Sequence, residues 1–471
     1  MHKAGIVLSL ALAGCATAPG YRASEVPVPS AFRETQDTII ETPATLTALP
    51  DTVSSPDVRD TTLTRLLNEA VRANLDVRAA EARVRGARSA RREVAFDLAP
   101  TVTFGGGYTR ERLSSAAFPV GFGTFPDQDI WDGGFDASWE LDLFGRVRRN
   151  VQAQGAFVAV SREDLRDIQV SLTAELARAY FELRGAQEQL TVAQRNAENQ
   201  RRTLLVTRQR LDAGRGTAFD TERAQAQLSL TLASVPGLES RVRQAQYQIG
   251  VLVGRPPAAV AAELDEVFPL PAFPATVTVA SPDSVVRRRP DVAAAERQVA
   301  VERALVGAAK ADYLPRLSLG GSAGYAASSF DALGDRGTFR YAVGPIISWP
   351  ALNLGRVKAR VDISRARESE AQAQYTQTVL RALQEVESSL VRYRTSRARV
   401  ERIQDAASAS ERAAELARLR FSGGVADFLQ VLDAERTQLE AQDLLAQSRT
   451  EAATSYAALY KALGGTWPSS N

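Results

Sequence analysis

Cysteine, histidine and methionine each occur once in 471 residues, as Cys15, His2 and Met1. A single cysteine excludes a disulfide within one chain. Beyond Cys15 the chain has no imidazole and no thiol. The commonest general base, metal ligand and activated nucleophile are therefore missing, which argues against an enzyme and leaves only carboxylate chemistry open. No acid pair stands out among the helix-surface Asp and Glu residues, so catalytic residues, a metal and a cofactor are all expected to be absent. An excess of charge is missing too, with 57 basic residues against 55 acidic ones. That balance lacks the basic footprint of a nucleic-acid binder, and nucleic acid is not an expected partner. The apolar run from Ala4 to Ala13 is too short to span a bilayer. After His2 and Lys3 it reads as a secretion signal over residues 1–14, to be removed.

The run ends in Leu12-Ala13-Gly14-Cys15, which resembles the lipobox of bacterial lipoproteins. The resemblance implies cleavage before Cys15 and acylation of it, and Ala16 in place of Asp implies delivery to the outer membrane. Several acyl chains on one residue hold lastingly, since each buried methylene contributes about 0.8 kcal/mol. Residues 15–60 are rich in Pro, Ser and Thr without a helical or strand period, and read as an extended, lipid-anchored arm.

Self-similarity organises the rest. Asn74-Leu75-Asp76-Val77 recurs as Arg289-Pro290-Asp291-Val292, and Leu98-Ala99-Pro100 as Tyr313-Leu314-Pro315, both shifted by 215 positions. Farther on, Trp139 matches Trp349, Gly145-Arg146-Val147 matches Gly355-Arg356-Val357, Gly214 matches Gly424 and Gly254 matches Gly464, shifted by 210. The chain thus reads as two copies of one unit, 61–254 and 283–467, each with helix, strand, loop, strand, long helix, turn and helix. A Pro-rich stretch, 255–282, matches neither copy and reads as a linker packed on the outside. Residues 468–471 are a short tail.

In the first copy Phe135, Ala137, Trp139, Leu141 and Leu143 alternate with Asp136, Ser138, Glu140 and Asp142, a period of two that predicts a strand over 134–143. Its partner, 101–110, places Val102, Phe104 and Tyr108 on one face. The second copy repeats the pair at 316–326, with Leu317, Leu319, Ala323 and Tyr325, and at 339–349, with Phe339, Tyr341, Val343, Ile347 and Trp349. About ten residues is what a tilted strand needs to cross a bilayer. Tyr108, Phe135, Trp139, Tyr325, Phe339, Tyr341 and Trp349 would then be membrane-interface aromatics; a soluble β-sandwich is the other reading. In lipid, four strands leave open edges whose unsatisfied backbone groups cost several kcal/mol each, so several chains must pool their strands.

From Gly145 to about Leu211 there is no proline, and a helix of that length would reach roughly 100 Å. Val379, Leu383, Val386, Leu390 and Tyr393 alternate spacings of four and three, the period of a coiled-coil seam. Each long helix ends at a glycine turn, Gly214-Arg215-Gly216-Thr217 or Gly423-Gly424-Val425-Ala426, and a second helix returns, giving hairpins over 145–252 and 355–463. Glycine there suits a helix terminator and an exposed contact surface equally. The fold class is mainly α with a transmembrane β part.

The segments Trp139-Glu140-Leu141-Asp142-Leu143-Phe144-Gly145-Arg146, Arg288-Arg289-Pro290-Asp291-Val292, Leu314-Pro315-Arg316-Leu317-Ser318 and Tyr460-Lys461-Ala462-Leu463-Gly464-Gly465-Thr466-Trp467 resemble the TolC-like outer-membrane efflux proteins. The likeness is greater to their lipoprotein branch, which serves tripartite drug pumps, and covers about residues 60–467. It implies a homotrimer in which three sets of four strands close a twelve-stranded β-barrel and the coiled-coil helices form a periplasmic α-barrel. It implies a passive exit duct, with a periplasmic adaptor protein and an inner-membrane efflux pump as partners and the glycine turns as adaptor contacts. It also implies a constriction within Phe421 to Arg436, formed by Leu429 and Asp433, which are four apart and share a helix face. Three Asp433 carboxylates in a ring would favour cations. From the residues alone, Asp433 can equally pair with Arg436 and Leu429 pack in a seam. Some relatives carry a basic residue where Ser422 stands, so their latch at that position is not expected here. An exit duct for type I protein secretion shares the architecture and is the alternative function.

Overall fold

The computed structural model describes residues 26–35, 60–114, 126–271, 273, 277 and 279–465. The signal segment, Cys15, Ala16, most of the arm, Trp467 and the tail lie outside the described residues. The chain divides into two compact units. One comprises the described parts of Arg83–Arg162 and Ala294–Thr376, the other those of Val26–Ala82, Glu163–Ala293 and Gln377–Asn471.

The first unit carries the strands. β1 (Thr101–Glu111), β2 (Gln128–Leu141), β3 (Arg316–Ala327) and β4 (Phe339–Ser348) form one antiparallel sheet in chain order. β2 starts earlier than the alternation over 134–143 indicated, and ends earlier. Asp129, Asp132 and Gly133 blur the apolar pattern, but backbone pairing with β1 continues to Gln128 regardless of side-chain type. At the other end Asp142 leaves the ladder and its carboxylate accepts from Val147 N and Arg148 N at 3.0 and 2.9 Å, capping the helix that follows. The duplication shows in hydrogen bonds: Trp139 Nε1 donates to the Leu98 carbonyl and Trp349 Nε1 to the Tyr313 carbonyl, each at 3.0 Å.

The second unit holds helical hairpins. Its first helix, α1 (Thr61–Ala73), is capped by Asp60, whose carboxylate accepts from Leu63 N at 2.9 Å. The spacing of Leu63, Leu66, Leu67 and Ala70 buries one stripe of it. The opening helix expected in each copy is in fact two. α1 parts from α2 (Leu75–Phe96) at Asn74, whose side-chain oxygen accepts from Asp76 N and Val77 N. After α5 (Pro257–Glu263), α6 (Pro282–Arg288) parts from α7 (Pro290–Ala311) at Arg289, since Pro290 disfavours a helical residue before it. Both break residues reach equivalent places in their own copies. Asn74 Nδ2 donates to the Leu252 carbonyl at 2.9 Å and Arg289 Nη1 to the Ala462 carbonyl at 3.1 Å.

The long helices α3 (Arg146–Asp212) and α8 (Leu354–Ser422) have 67 and 69 residues, and the returning α4 (Ala218–Leu252) and α9 (Phe428–Ala462) 35 each. Among the described residues no helix is long and apolar enough to cross a membrane. The core of the second unit centres on Leu176, Tyr180, Phe181 and Leu183 of α3 with Tyr456, Leu459 and Tyr460 of α9. Two expectations are corrected here. The linker is not packed on the outside: Val260, Leu264, Val277 and Val279 are buried in this core, and Phe273 meets Phe181 and Tyr456 ring to ring at 5.2 and 5.4 Å. Its apolar side chains close a core that the hairpins leave open, each contributing about 1.5–3 kcal/mol when fully buried. Nor is the arm extended throughout, because Arg33–Thr35 form a 3-10 turn after the buried Phe32, and Arg33 N donates to Glu387 Oε1 at 2.8 Å. Burial pushes the Tyr393 phenol in the same core up to about 12, against the lowering influence of Arg397.

Candidate functional site

The sheet has two faces of opposite character, set by register. One carries the rows Phe104–Phe135–Ala323–Tyr341, Val102–Ala137–Gly321–Val343, Trp139–Leu319–Pro345 and Leu141–Leu317–Ile347. Every side chain in them is apolar, and Phe104, Phe135, Tyr341, Val343 and Ile347 are exposed. The other face carries Thr103–Asp136–Ser322–Ala342 and Thr101–Ser138–Gly320–Gly344. A strand period of two thus separates an apolar surface of the kind lipid covers from a polar one.

The aromatics singled out from sequence all fall on the apolar face or in line with it, though not all at its ends. Tyr325 pairs with Phe339 beside the β3–β4 loop, Tyr108 lies near the loop end of β1, and Trp139 and Trp349 stand toward the helices. Because β2 begins at Gln128, Phe135 sits at its middle, opposite Phe104, and Tyr341 shares that row. Trp131 was missed. It stacks on Tyr108 at 4.6 Å and meets Phe330 edge-on at 5.3 Å, completing an aromatic group at the loop end. Its odd-numbered parity with Trp139 was the available signal, hidden by the late start assigned to β2.

The two glycine turns are built alike. Gly214 (φ +68°) and Gly424 (φ +78°) take the left-handed conformation that glycine adopts without strain. Arg215 N donates to the Arg210 carbonyl and Val425 N to the Arg420 carbonyl, closing α3 and α8. Thr217 and Asp427 then cap α4 and α9. Arg215, Thr217, Gly423 and Val425 are exposed, Gly216 and Ala426 half-buried. The hairpins are joined just behind the turns: Ala197, Leu204, Ala224 and Leu228 of the first pack with Phe421, Phe428 and Val431 of the second. The Arg210 guanidinium covers the Phe421 ring at 4.3 Å, a cation–π contact.

Helix α9 presents two faces there. Phe428, Val431, Glu435 and Gln438 are buried, while Leu429, Asp433, Arg436 and Glu440 are exposed. Asp433 Oδ1 lies 3.2 Å from Arg436 Nη2 and is 70% exposed as a side chain. Leu429 is 53% exposed, so within this chain it is not seam packing. Ser422 donates to the Leu419 carbonyl of its own helix at 2.9 Å. A buried ionic node stands one turn earlier, at Arg418. The Glu435 carboxylate, 5% exposed, accepts from Thr203 Oγ1 of the first hairpin at 2.7 Å and from Arg418 Nε at 2.9 Å, and Arg418 Nη2 also donates to Gln438 at 2.6 Å. Reading the sequence did not find this node, because Thr203 and Glu435 are 232 positions apart.

Comparison with known proteins bears on both features. The profile of the outer membrane efflux protein family matches residues 66–255 and 282–465. The toluene efflux pump outer membrane protein TtgF of Pseudomonas putida is 28% identical, over 99% of this chain and 97% of its own. The solved outer-membrane channel OprN superposes with a TM-score of 0.87 at 36% identity, over 96% of this chain and 100% of that one. The open state of the Neisseria gonorrhoeae MtrE outer membrane channel gives 0.81 at 25% identity, over 97% and 100%. With most of both repeats matched and the sheet and hairpins superposing throughout, this chain belongs to the outer membrane efflux protein family and is the outer-membrane channel component of an efflux system.

Proposed function

We propose that the chain works as a homotrimer, a passive exit duct that receives small molecules from an inner-membrane efflux pump through a periplasmic adaptor and performs no chemistry itself. The observation that carries this is the four-stranded sheet, whose one face is apolar from the Leu141 row to the Tyr108–Trp131 row, with charged Arg110 and Asp129 only at its loop end, and whose outer strands β1 and β4 each pair on one side only among the described residues. In lipid such edges must be satisfied, and three copies joined edge to edge give a closed barrel of twelve strands with the polar face inward. The exposed glycine turns are the adaptor contacts. Leu429 and Asp433, exposed on one face of α9, form the periplasmic constriction, with Asp433 held by Arg436 until opening. The cargo class is apolar organic solvents and drugs, a reading supported by the toluene efflux named for TtgF and the antibiotic efflux named for another Pseudomonas putida relative.

A deletion strain should retain more toluene-like solvent and drug, and the wild-type gene should restore export; unaltered retention of every compound would remove the efflux reading. Asp433→Ala in the same strain should raise single-channel conductance and vancomycin uptake, because it removes both the carboxylate ring and the Arg436 pair. Unchanged leakiness at normal expression would remove the constriction from these residues. The lipid anchor at Cys15 makes a separate prediction: the wild type incorporates labelled fatty acid and Cys15→Ser does not, whereas label in both would place the acylation at another residue and label in neither would remove it.

A further inference from the structure

One cross-strand row of the polar face is unlike the others. It reads Gly105–Gly134–Gly324–Arg340, three residues without side chains followed by the longest cation available. The glycines at 134 and 324 lie backbone to backbone, a Cβ on Gly324 coming within 2.4 Å of the Gly133 carbonyl oxygen. The row is therefore a bare trough in the sheet with a single guanidinium at its end. Arg340 is half exposed, and its Nη2 lies 3.9 Å from Asp132 Oδ2, at the edge of an ion pair. Toward the helices the same face carries Asp136 and Glu140. Glu140 is neutralised by Arg146 at 2.6 Å, whereas Asp136 has no ion pair among the described residues. The other arginine of this face, Arg316 at its helix end, is paired with Asp312 at 2.6 Å, so Arg340, in the row between those of Asp132 and Asp136, is the cation that opposes them, on a face that also carries Glu111, Ile130 and Ile346 beside Thr, Ser, Ala and Gly.

We propose that Arg340 is a selectivity-determining residue of the duct, the group that lets anionic and zwitterionic solutes pass a bore otherwise dominated by carboxylates. The inference rests on the trimeric duct reading, in which three copies of the row face one lumen near its outer end. Three guanidinium groups there oppose six carboxylates, and their removal doubles the net negative charge contributed by these residues. The bare glycine row leaves the guanidinium unscreened by neighbouring side chains, so its field reaches a permeating ion.

The test uses the full-length protein in planar bilayers under a salt gradient near 0.1 M, where the screening length is about 10 Å. Arg340→Gln, made with the native tip and with Asp433→Ala, should shift the reversal potential toward the cation and raise the cation-to-anion permeability ratio roughly threefold. Arg340→Lys should keep the wild-type ratio, and Asp132→Asn should move it the opposite way. An unchanged reversal potential in Arg340→Gln with normal conductance overturns the selectivity role and leaves the duct standing. Absence of conductance in every variant, Asp433→Ala alone included, overturns the duct reading and this role with it.

Discussion

Gly324→Val should remove the protein from the outer membrane. A Cβ at this position stands 2.4 Å from the Gly133 carbonyl oxygen and 2.6 Å from Gly134 Cα, both backbone atoms of β2 that no rotamer change can move. Local preference points the other way, since valine favours strands over glycine. Geometry wins: overpacking costs about 3 kcal/mol or more when nothing can yield. If β2 and β3 part, their backbone groups face lipid without partners. Gly105 stands in the same row but meets nothing within 4 Å, so Gly105→Val should assemble normally. Immunoblots of outer-membrane fractions decide it. Assembled Gly324→Val at the level of Gly105→Val would mean that β2 and β3 do not approach so closely.

Arg289→Ala should lower the thermal transition of the purified protein by roughly 5 °C. The Arg289 side chain is 8% exposed and lies 2.7 Å from both Asp291 and Glu385 while donating to the Ala462 carbonyl. It ties the start of α7 to α8 and to the end of α9 in one residue. Burial works to lower its proton affinity, but the hydrogen bonds and charges of Asp291 and Glu385 outweigh it and hold the guanidinium above its ordinary value. A basic group raised on folding contributes fully below its unfolded pKa, so this stabilisation is present across the neutral range. Truncation strands the Ala462 carbonyl and the Asp291 carboxylate at a cost of about 3 kcal/mol, with little counted for the half-exposed Glu385. Arg289→Lys should fall between, because an ammonium keeps the charge and loses the fork. Circular dichroism melts in detergent measure this, and coincident wild-type and Ala transitions would show the node to be dispensable.

The repeat was legible from sequence through matched residues such as Trp139 and Trp349, and the structure carries the match to single hydrogen bonds, since both indoles donate to carbonyls at matching places. The strand faces were legible through their period of two, and the sharing of one α9 face by Leu429 and Asp433 through their spacing of four, whereas the exposure of that face came from the structure. The linker was misread because proline richness describes backbone conformation and says nothing about where Val260 or Leu264 is buried. The split at Asn74 was missed because a capping asparagine and a mid-helix asparagine look alike until Asp76 N and Val77 N are seen to donate to it.

What the sequence determined alone is whatever depends on near neighbours along the chain: alternating faces, helix lengths, and the left-handed glycines Gly214, Gly254, Gly424 and Gly464 that end all four hairpin helices. Backbone sterics act over a few residues, so a local pattern suffices for these. The tertiary structure decided which of two glycines in one row can accept a side chain. It also decided that Glu435 is the buried carboxylate holding the two hairpins together while Asp433, two residues before it, is exposed. Both outcomes depend on atoms contributed from distant parts of the chain, and packing against those atoms is a property of the assembled fold.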